Sequence, residues 1–332
     1  LYCPTPGTID SPGTAPSALT VGSTTNAHRL YQTVRVAGTS YQGLSGNGIK
    51  FTAPLTAPAI DLSTVVSDAT ICSGAPAGSL TGKIVLVARG TCAFFQKVTA
   101  AQNAAAVAVL MYDTSSDDIL PPSYLLNETG IPLEYVGSTA GLAIRAAVKA
   151  NPGLPITIDP ALTSTDTGSD VIAYDSSRGP ALGSNGLKPE IAAVGSNVYT
   201  ATQSYDPNGD VYDASGYAAV DGTSFAAAMV AGAAALVKQA HPTYTAAQVK
   251  SALVNTAAQD VLNDDSGDPV KVTQTGNGRL LTNLAIQTNV TATPSSVSFG
   301  AVTSSLLPLR QTLQISNTGT TAVSLTLAVA NT

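Results

Sequence analysis

The chain has 332 residues, 44 % of them hydrophobic and 11 % charged, a balance that packs into cores and excludes a disordered polymer. Its length is enough for two domains and part of a third. A net charge of −6 without a lysine or arginine cluster argues against a nucleic-acid partner, and the longest apolar run, Phe225 to Val237, is shorter than the ~20 residues a membrane span takes.

The chain opens on Leu1, with no charged-then-apolar leader, which points to a removed signal or to a piece of something longer. "SALTVGST" (17–24) reads as a buried strand ended by glycine. Residues 41 to about 80 are rich in Gly, Pro, Ser and Thr and show little periodicity. "KIVLVARG" (83–90) is a strand, and the stretch after it sets Phe94, Val98, Ala101 and Ala105 on one helical face. "VAVLMYD" (107–113) is the next strand, so this region forms a βαβ unit with a parallel pair. "IPLEYVGSTAGLAIRAAVKANPG" adds a further strand and helix, stopped by Pro152 and Gly153.

From about residue 156 the texture changes. "SDVIAYDSSRGP" is a strand running into a turn, and "LKPEIAAVGSNVYTA" a proline-bearing loop followed by an extended segment. An apolar helix over 224–240 and an amphipathic one in "YTAAQVKSALVNTAAQ" come next. Beyond "NGRLLTNLAI" the alternating pattern predicts the first strands of a β-sandwich that the chain ends before completing.

Cys3, Cys72 and Cys92 are the cysteines, an odd count that suggests one bridge, one orphan and an oxidising, exported setting. Cys72 and Cys92 flank the same apolar strand pattern and are the expected pair; closing that loop contributes roughly 3 kcal/mol in the chain-entropy description. Asp206, Asn208 and Asp210 alternate as in part of a calcium loop, but no glutamate closes it, so the segment reads as a solvated turn. Arg89 and Lys97 read as a strand-end charge and a solvated helix residue. Asn127 and Asn289 fit the glycosylation acceptor pattern in a eukaryotic secretory host.

Ser224 opens the apolar helix. One reading makes it a helix cap, accepting hydrogen bonds from unpaired backbone N–H groups. The other makes it a nucleophile, with those N–H groups and the helix dipole stabilising an oxyanion. A helix apolar all round is expected at the centre of a core. A nucleophile needs a base. His241 lies 17 residues on (241 − 224), about 25 Å along a continuous helix, and reads as a surface residue compensating the helix dipole. His28, among polar residues, also reads as a surface histidine. Residues alone supply no base.

"GTSFAAAMVAG" (222–232) resembles the serine motif of subtilisin-like serine peptidases, usually G-T-S-x-A-x-P-x-V-A-G. "DSSRGP" (175–180) and "KPEIAAVG" (188–195) resemble that family's F-S-S-R-G-P and K-P-D-I-x-A-P-G. "TIDSPGTAPSALTVGS" (8–23) is similar to the strand region after the family's oxyanion-hole asparagine. "GKIVLVARGTCAFFQKVTAAQNAAAVAVLMYD" (82–113) resembles a protease-associated (PA) domain, and "TGNGRLLTNLAI" the end of a catalytic domain ahead of a fibronectin-III-like module.

The resemblance implies an α/β fold: part of a subtilisin-like parallel-sheet domain over 1–40 and 156–287, an inserted α+β PA domain over 41–155, and the start of a β-sandwich over 288–332. It implies a secreted endopeptidase acting on protein or peptide substrates through an acyl-enzyme on Ser224, with Gly222 and Thr223 completing the motif and no cofactor. The family's aspartate and histidine motifs and its asparagine would lie upstream of Leu1. No H-G-T stretch occurs here, and "DTG" (166–168) and "DSG" (265–267) read as turns. Ala228 and Met229 stand at and after the motif proline, and Val194 at the loop proline. The isolated chain is therefore expected to be inactive, and its uncovered core to self-associate. The alternatives are a non-catalytic, PA-type binding module and a sedolisin-like hydrolase with a carboxylate base.

Overall fold

The computed structural model describes all residues except 1–4, 47–52, 118–128, 207–210, 214, 264–265, 301, 303–308 and 329–332. In chain order the strands and helices are β1 (Val21–Thr25), β2 (His28–Val36), β3 (Thr39–Ser45), β4 (Leu55–Asp61), β5 (Ile84–Ala88), α1 (Phe94–Asn103), β6 (Ala108–Tyr112), β7 (Leu133–Val136), α2 (Ser138–Ala150) and β8 (Pro155–Asp166). There follow β9 (Ile191–Ser196), β10 (Val198–Ala201), β11 (Tyr217–Val220), α3 (Thr223–Ala240), α4 (Ala246–Asn255), α5 (Val272–Thr275), α6 (Thr282–Gln287), β12 (Val290–Thr293) and β13 (Gln314–Asn317). The chain divides into two compact units, one of residues 1–28, 166–198 and 221–332, the other of residues 29–165 and 199–220.

In the first unit β1 and β9 pair in parallel, Val21 opposite Ile191, with an irregularity between Thr24 and Thr25. The amphipathic α4 starts at a Thr245 cap whose hydroxyl accepts from the Gln248 N–H, one of the donors a helix start leaves unpaired. Ile191, Ala193, Ala226, Val230, Ala233, Val237, Leu253 and Ala285 form the core between this strand pair and the helices α3, α4 and α6. A buried charge cluster ties it together: Lys188 Nζ lies 2.9 Å and Lys250 Nζ 2.5 Å from the two Glu190 carboxylate oxygens. Both amines also donate to Ala18 O, at 2.7 and 3.2 Å, and the Thr20 N–H donates to Glu190 Oε2.

The structure corrects the expectation that α3 is surrounded by core. Only Ala226, Val230, Ala233 and Val237 of its residues are buried, a single i, i+4, i+7 row. Met229 and Leu236 are 41 % and 46 % exposed. The helix is also longer than the apolar run, 18 residues, and by length and composition alone it is long enough to cross a membrane; its buried row is part of the α/β core. "SDVIAYDSSRGP" holds isolated bridges, Val171 to Leu262 and Thr24 to Ile172, where a strand was expected. Towards the C-terminus the described residues hold one antiparallel pair, β12 with β13, one strand from each of the two alternating stretches.

The second unit holds a closed barrel in the order β2-β3-β7-β6-β5-β4-β8 and a separate β10–β11 pair. The expected βαβ unit is present, β5 and β6 pairing in parallel from Ile84–Ala108 to Ala88–Tyr112. Their unbroken apolar runs are explained by burial on both faces. Ile84, Leu86, Leu110 and Tyr112 join a core with Ile144 and Val148 of α2, and Val85, Val87, Val109 and Met111 one with Val98 and Ala101 of α1. A domain start at 41 falls inside β3, which pairs with β2, and β8 runs on past 155, so the compact unit takes in both flanks.

Charges hold the barrel helices in place. Asp61, at the end of β4, pairs with Arg145 (2.9 Å) and Lys149 (3.2 Å) of α2. Burial alone would raise its carboxyl, but the Ser63 N–H and the two cations outweigh it and set it below the usual range. Arg89 is a strand-end charge, paired with Asp113 at 2.6 Å. Lys97 is not solvated: it is fully buried on the inner face of α1, its Nζ donating to Thr70 O at 2.8 Å. Helical spacing puts position 97 beside 94 and 101, and the stem fills that row. Ala105 falls beyond the helix, at φ 67°. Cys72 and Cys92 are joined by a disulfide; Cys3 lies outside the described residues.

Candidate active site

The first turn of α3 begins at Gly222, whose φ of 152° disfavours any side chain. Gly222 is the cap residue, so Ser224 sits one residue inside the helix and does not cap it. β9 sets the turn's height: the Gly222 N–H donates to Gly195 O at 2.8 Å. A Cβ on Gly195 would collide with Ser23 Oγ and come within 2.7 Å of Gly222 O, so glycine is what lets the strand pass under the turn. The Phe225 N–H returns to Gly222 O.

Ser224 is exposed, and neither its hydroxyl nor its N–H is hydrogen-bonded to a described residue. Thr223 is half-buried beside it. A free hydroxyl beside a free N–H at the positive end of an 18-residue helix is a geometry that can bear an attacking oxygen and bind an oxyanion.

Two carboxylates lie close by. Asp221 immediately precedes the turn and accepts from the Asn197 N–H at 2.8 Å. Asp175 is half-buried, and its Oδ1 has no hydrogen-bond partner among the described residues. Burial pushes its carboxyl above the usual range, and the neighbouring charge of Asp221 adds to that. Ser176, next to it, accepts the Ser23 N–H at 3.0 Å and locks this turn to β1. Neither carboxylate was singled out from sequence, although "DSSRGP" carries an acid where the family segment has phenylalanine.

The histidines stay apart from the serine. His241 ends α3 at the far end from Ser224. It is more enclosed than a surface residue: its Nε2 lies 2.7 Å from Ile286 O, and its ring stacks on Tyr244 at 4.3 Å. His28 is exposed at the start of β2. Asp166, the last residue of β8, and Asp206 are exposed. Asn208, Asp210 and Asp265 lie outside the described residues, as does Asn127. Asn289 is exposed, and its carbonyl accepts from Thr318. Val194 is the fourth residue of β9; Ala228 is exposed beside Met229 on the open side of α3. Among the described residues no imidazole is hydrogen-bonded to Ser224.

In this α/β unit a strand-supported glycine turn presents Ser224 on the first turn of a helix. The chain belongs to the subtilase family, whose model (Peptidase_S8) matches residues 4–283. It is 28 % identical over 296 residues to the minor extracellular protease Vpr of Bacillus subtilis, covering 88 % of this chain and 35 % of that protein. It is 34 % identical over 185 residues to the subtilisin-like protease SBT1.7 of Arabidopsis thaliana, covering 53 % of this chain and 24 % of that one. The chain therefore spans between a quarter and about a third of these relatives. Among solved structures it is similar to the psychrophilic subtilisin-like protease Apa1 of Pseudoalteromonas sp. AS-11, at 20 % identity and a TM-score of 0.32. That alignment covers 78 % of this chain and 49 % of the other, and the superposition is too loose to assign a role.

Proposed function

We propose that the chain is the serine-bearing part of a secreted subtilisin-like endopeptidase, with the β2–β8 barrel as its inserted PA domain and residues 288–332 as the start of a fibronectin-III-like module. The observation that carries this reading is Ser224 itself, exposed and unengaged on the first turn of α3 above the Gly195–Gly222 contact. Ser224 Oγ attacks a peptide carbonyl, and its backbone N–H is one donor to the oxyanion. The histidine that takes the Ser224 proton, the aspartate that orients it and the second oxyanion donor come from outside the 332 residues. The substrate is protein or peptide. Secretion is supported by the Cys72–Cys92 disulfide and by similarity to a relative named as an extracellular protease.

The gene product at full length is expected to cleave an unfolded protein such as reduced casein, and Ser224→Ala to lower kcat by about 10⁴-fold or more. The 332-residue chain alone is expected to show no turnover. Unchanged hydrolysis by the Ser224→Ala variant would overturn the assignment. An inert full-length protein would favour a docking role for the barrel unit.

A further inference from the structure

The Cys72–Cys92 bond lies at the surface: Cys72 is exposed and Cys92 half-buried. Beneath it, on α1, is the fully buried Lys97, whose Nζ reaches Cys72 Sγ at 3.6 Å and Thr70 O at 2.8 Å. The Thr70 hydroxyl also reaches Cys72 Sγ, at 3.0 Å, its single proton shared with Asp68 Oδ1 at 2.5 Å. The stem of Lys97 packs on the inner face of α1, but desolvating its amine is unfavourable unless an anion stands beside it. Burial disfavours the charge on this amine, and Asp68 on the cysteine's own turn favours it. The anion that would suit Lys97 best is a thiolate on Cys72.

We propose that Cys72–Cys92 is a thiol–disulfide exchange site, opened by a dithiol that attacks Cys92 and expels Cys72 against Lys97. A thiolate of the dithiol forms a bond to Cys92 Sγ; the Cys72–Cys92 bond breaks, and its electron pair leaves on Cys72. The second thiol of the reductant loses its proton to solvent and attacks the mixed disulfide. Cys92 is released as thiolate and the reductant closes its own disulfide, so two electrons pass to the protein. A leaving sulfur with a stabilised thiolate departs faster, which is the part Lys97 plays.

The turn is built to survive the opening. Asp68 accepts the Thr70 and Cys72 N–H groups at 2.9 and 3.0 Å, the Ala88 N–H holds Ala69 O at 2.9 Å, and Ile71 is fully buried. None of these contacts depends on the S–S bond, so the reduced cysteines stay near one another and can close again.

The test uses the 332-residue chain carrying Cys3→Ser, so that only two cysteines report. Dithiothreitol is expected to open the bond in the folded protein with the far-UV circular dichroism unchanged. In the reduced protein, the pH profile of Cys72 alkylation by iodoacetamide is expected to have its midpoint at least one unit below the ordinary thiol value of about 8.5. Lys97→Met is expected to slow opening about tenfold and return that midpoint to the ordinary value, with Lys97→Arg in between. Should Lys97→Met not fold, the alkylation profile of the lysine-bearing protein decides. A bond that yields only in denaturant, a Cys72 midpoint at or above 8.5, or a folded Lys97→Met that exchanges at the original rate would each overturn the proposal.

Discussion

Asp175 is a carboxyl whose surroundings oppose its charge. Its carboxyl is half-buried with one oxygen unpartnered, and Asp221 stands near enough to resist its ionisation. A carboxyl whose folded-state pKa is raised favours the native state when protonated and strains it when charged. Asp175→Asn is therefore expected to raise the melting temperature of the chain at pH 7 by a few °C. The gain should fade as pH falls towards the ordinary value of 3.8, where the native aspartate is itself protonated. Thermal unfolding at pH 7 and pH 3 checks this; a destabilised variant at pH 7 would mean the carboxylate has an anchoring partner. The motif letters around Ser224 were legible in the sequence because glycine, threonine and serine do local work there. The strain at Asp175 was not, because it depends on how two distant turns meet.

Two elements carry separate predictions. In α3, Gly232 stands on the open side, and a Cβ there would meet nothing within 4 Å. Replacing a helix-interior glycine with alanine stabilises by about 1 kcal/mol when no contact is lost. Gly232→Ala should therefore shift the urea midpoint of this chain upward, and a downward shift would show that the position is packed in solution. In the barrel, Asp113 joins β6 to β7 and β5. Tyr135 Oη donates to its Oδ2 at 2.7 Å, as does Arg89 at 2.6 Å, while the N–H groups of Thr114 and Ser115 hold its Oδ1. Burial works to raise this carboxyl, but the Tyr135, Arg89 and Ser115 hydrogen bonds outweigh it and hold it well below the usual range. Its contribution is thus present above the unfolded value of about 3.9 and is lost as pH falls towards the lower folded value. Asp113→Asn should cost about 3 kcal/mol at pH 7 and flatten the acid limb of the stability profile. A variant with an unchanged acid limb would exclude Asp113 as its source.

Over the whole molecule, the sequence showed best what repeats locally. The buried strands β5 and β6 and the helices α1, α2 and α4 stood out because long apolar runs and helical periodicity leave a mark on every residue. β2, β3 and β4 did not: β3 is polar and carries a glycine, and β2 and β4 are marked as strands by their pairing in the barrel. Lys97 was misplaced because a lysine on a helix is ordinarily solvated, and only the packed barrel shows its stem inside. The open side of α3 has the same kind of origin. Composition makes that helix apolar all round, whereas the elements present cover a single row of it. The serine was found by motif, and its exposure by structure.

Fluorophosphonate labelling reports on Ser224 without knowledge of the substrate, because it needs only an activated serine. Adduct is expected on Ser224 in the full-length gene product, none on its Ser224→Ala variant and none on the 332-residue chain alone. Adduct on the 332-residue chain, or its absence from Ser224 in the full-length protein, would contradict that expectation.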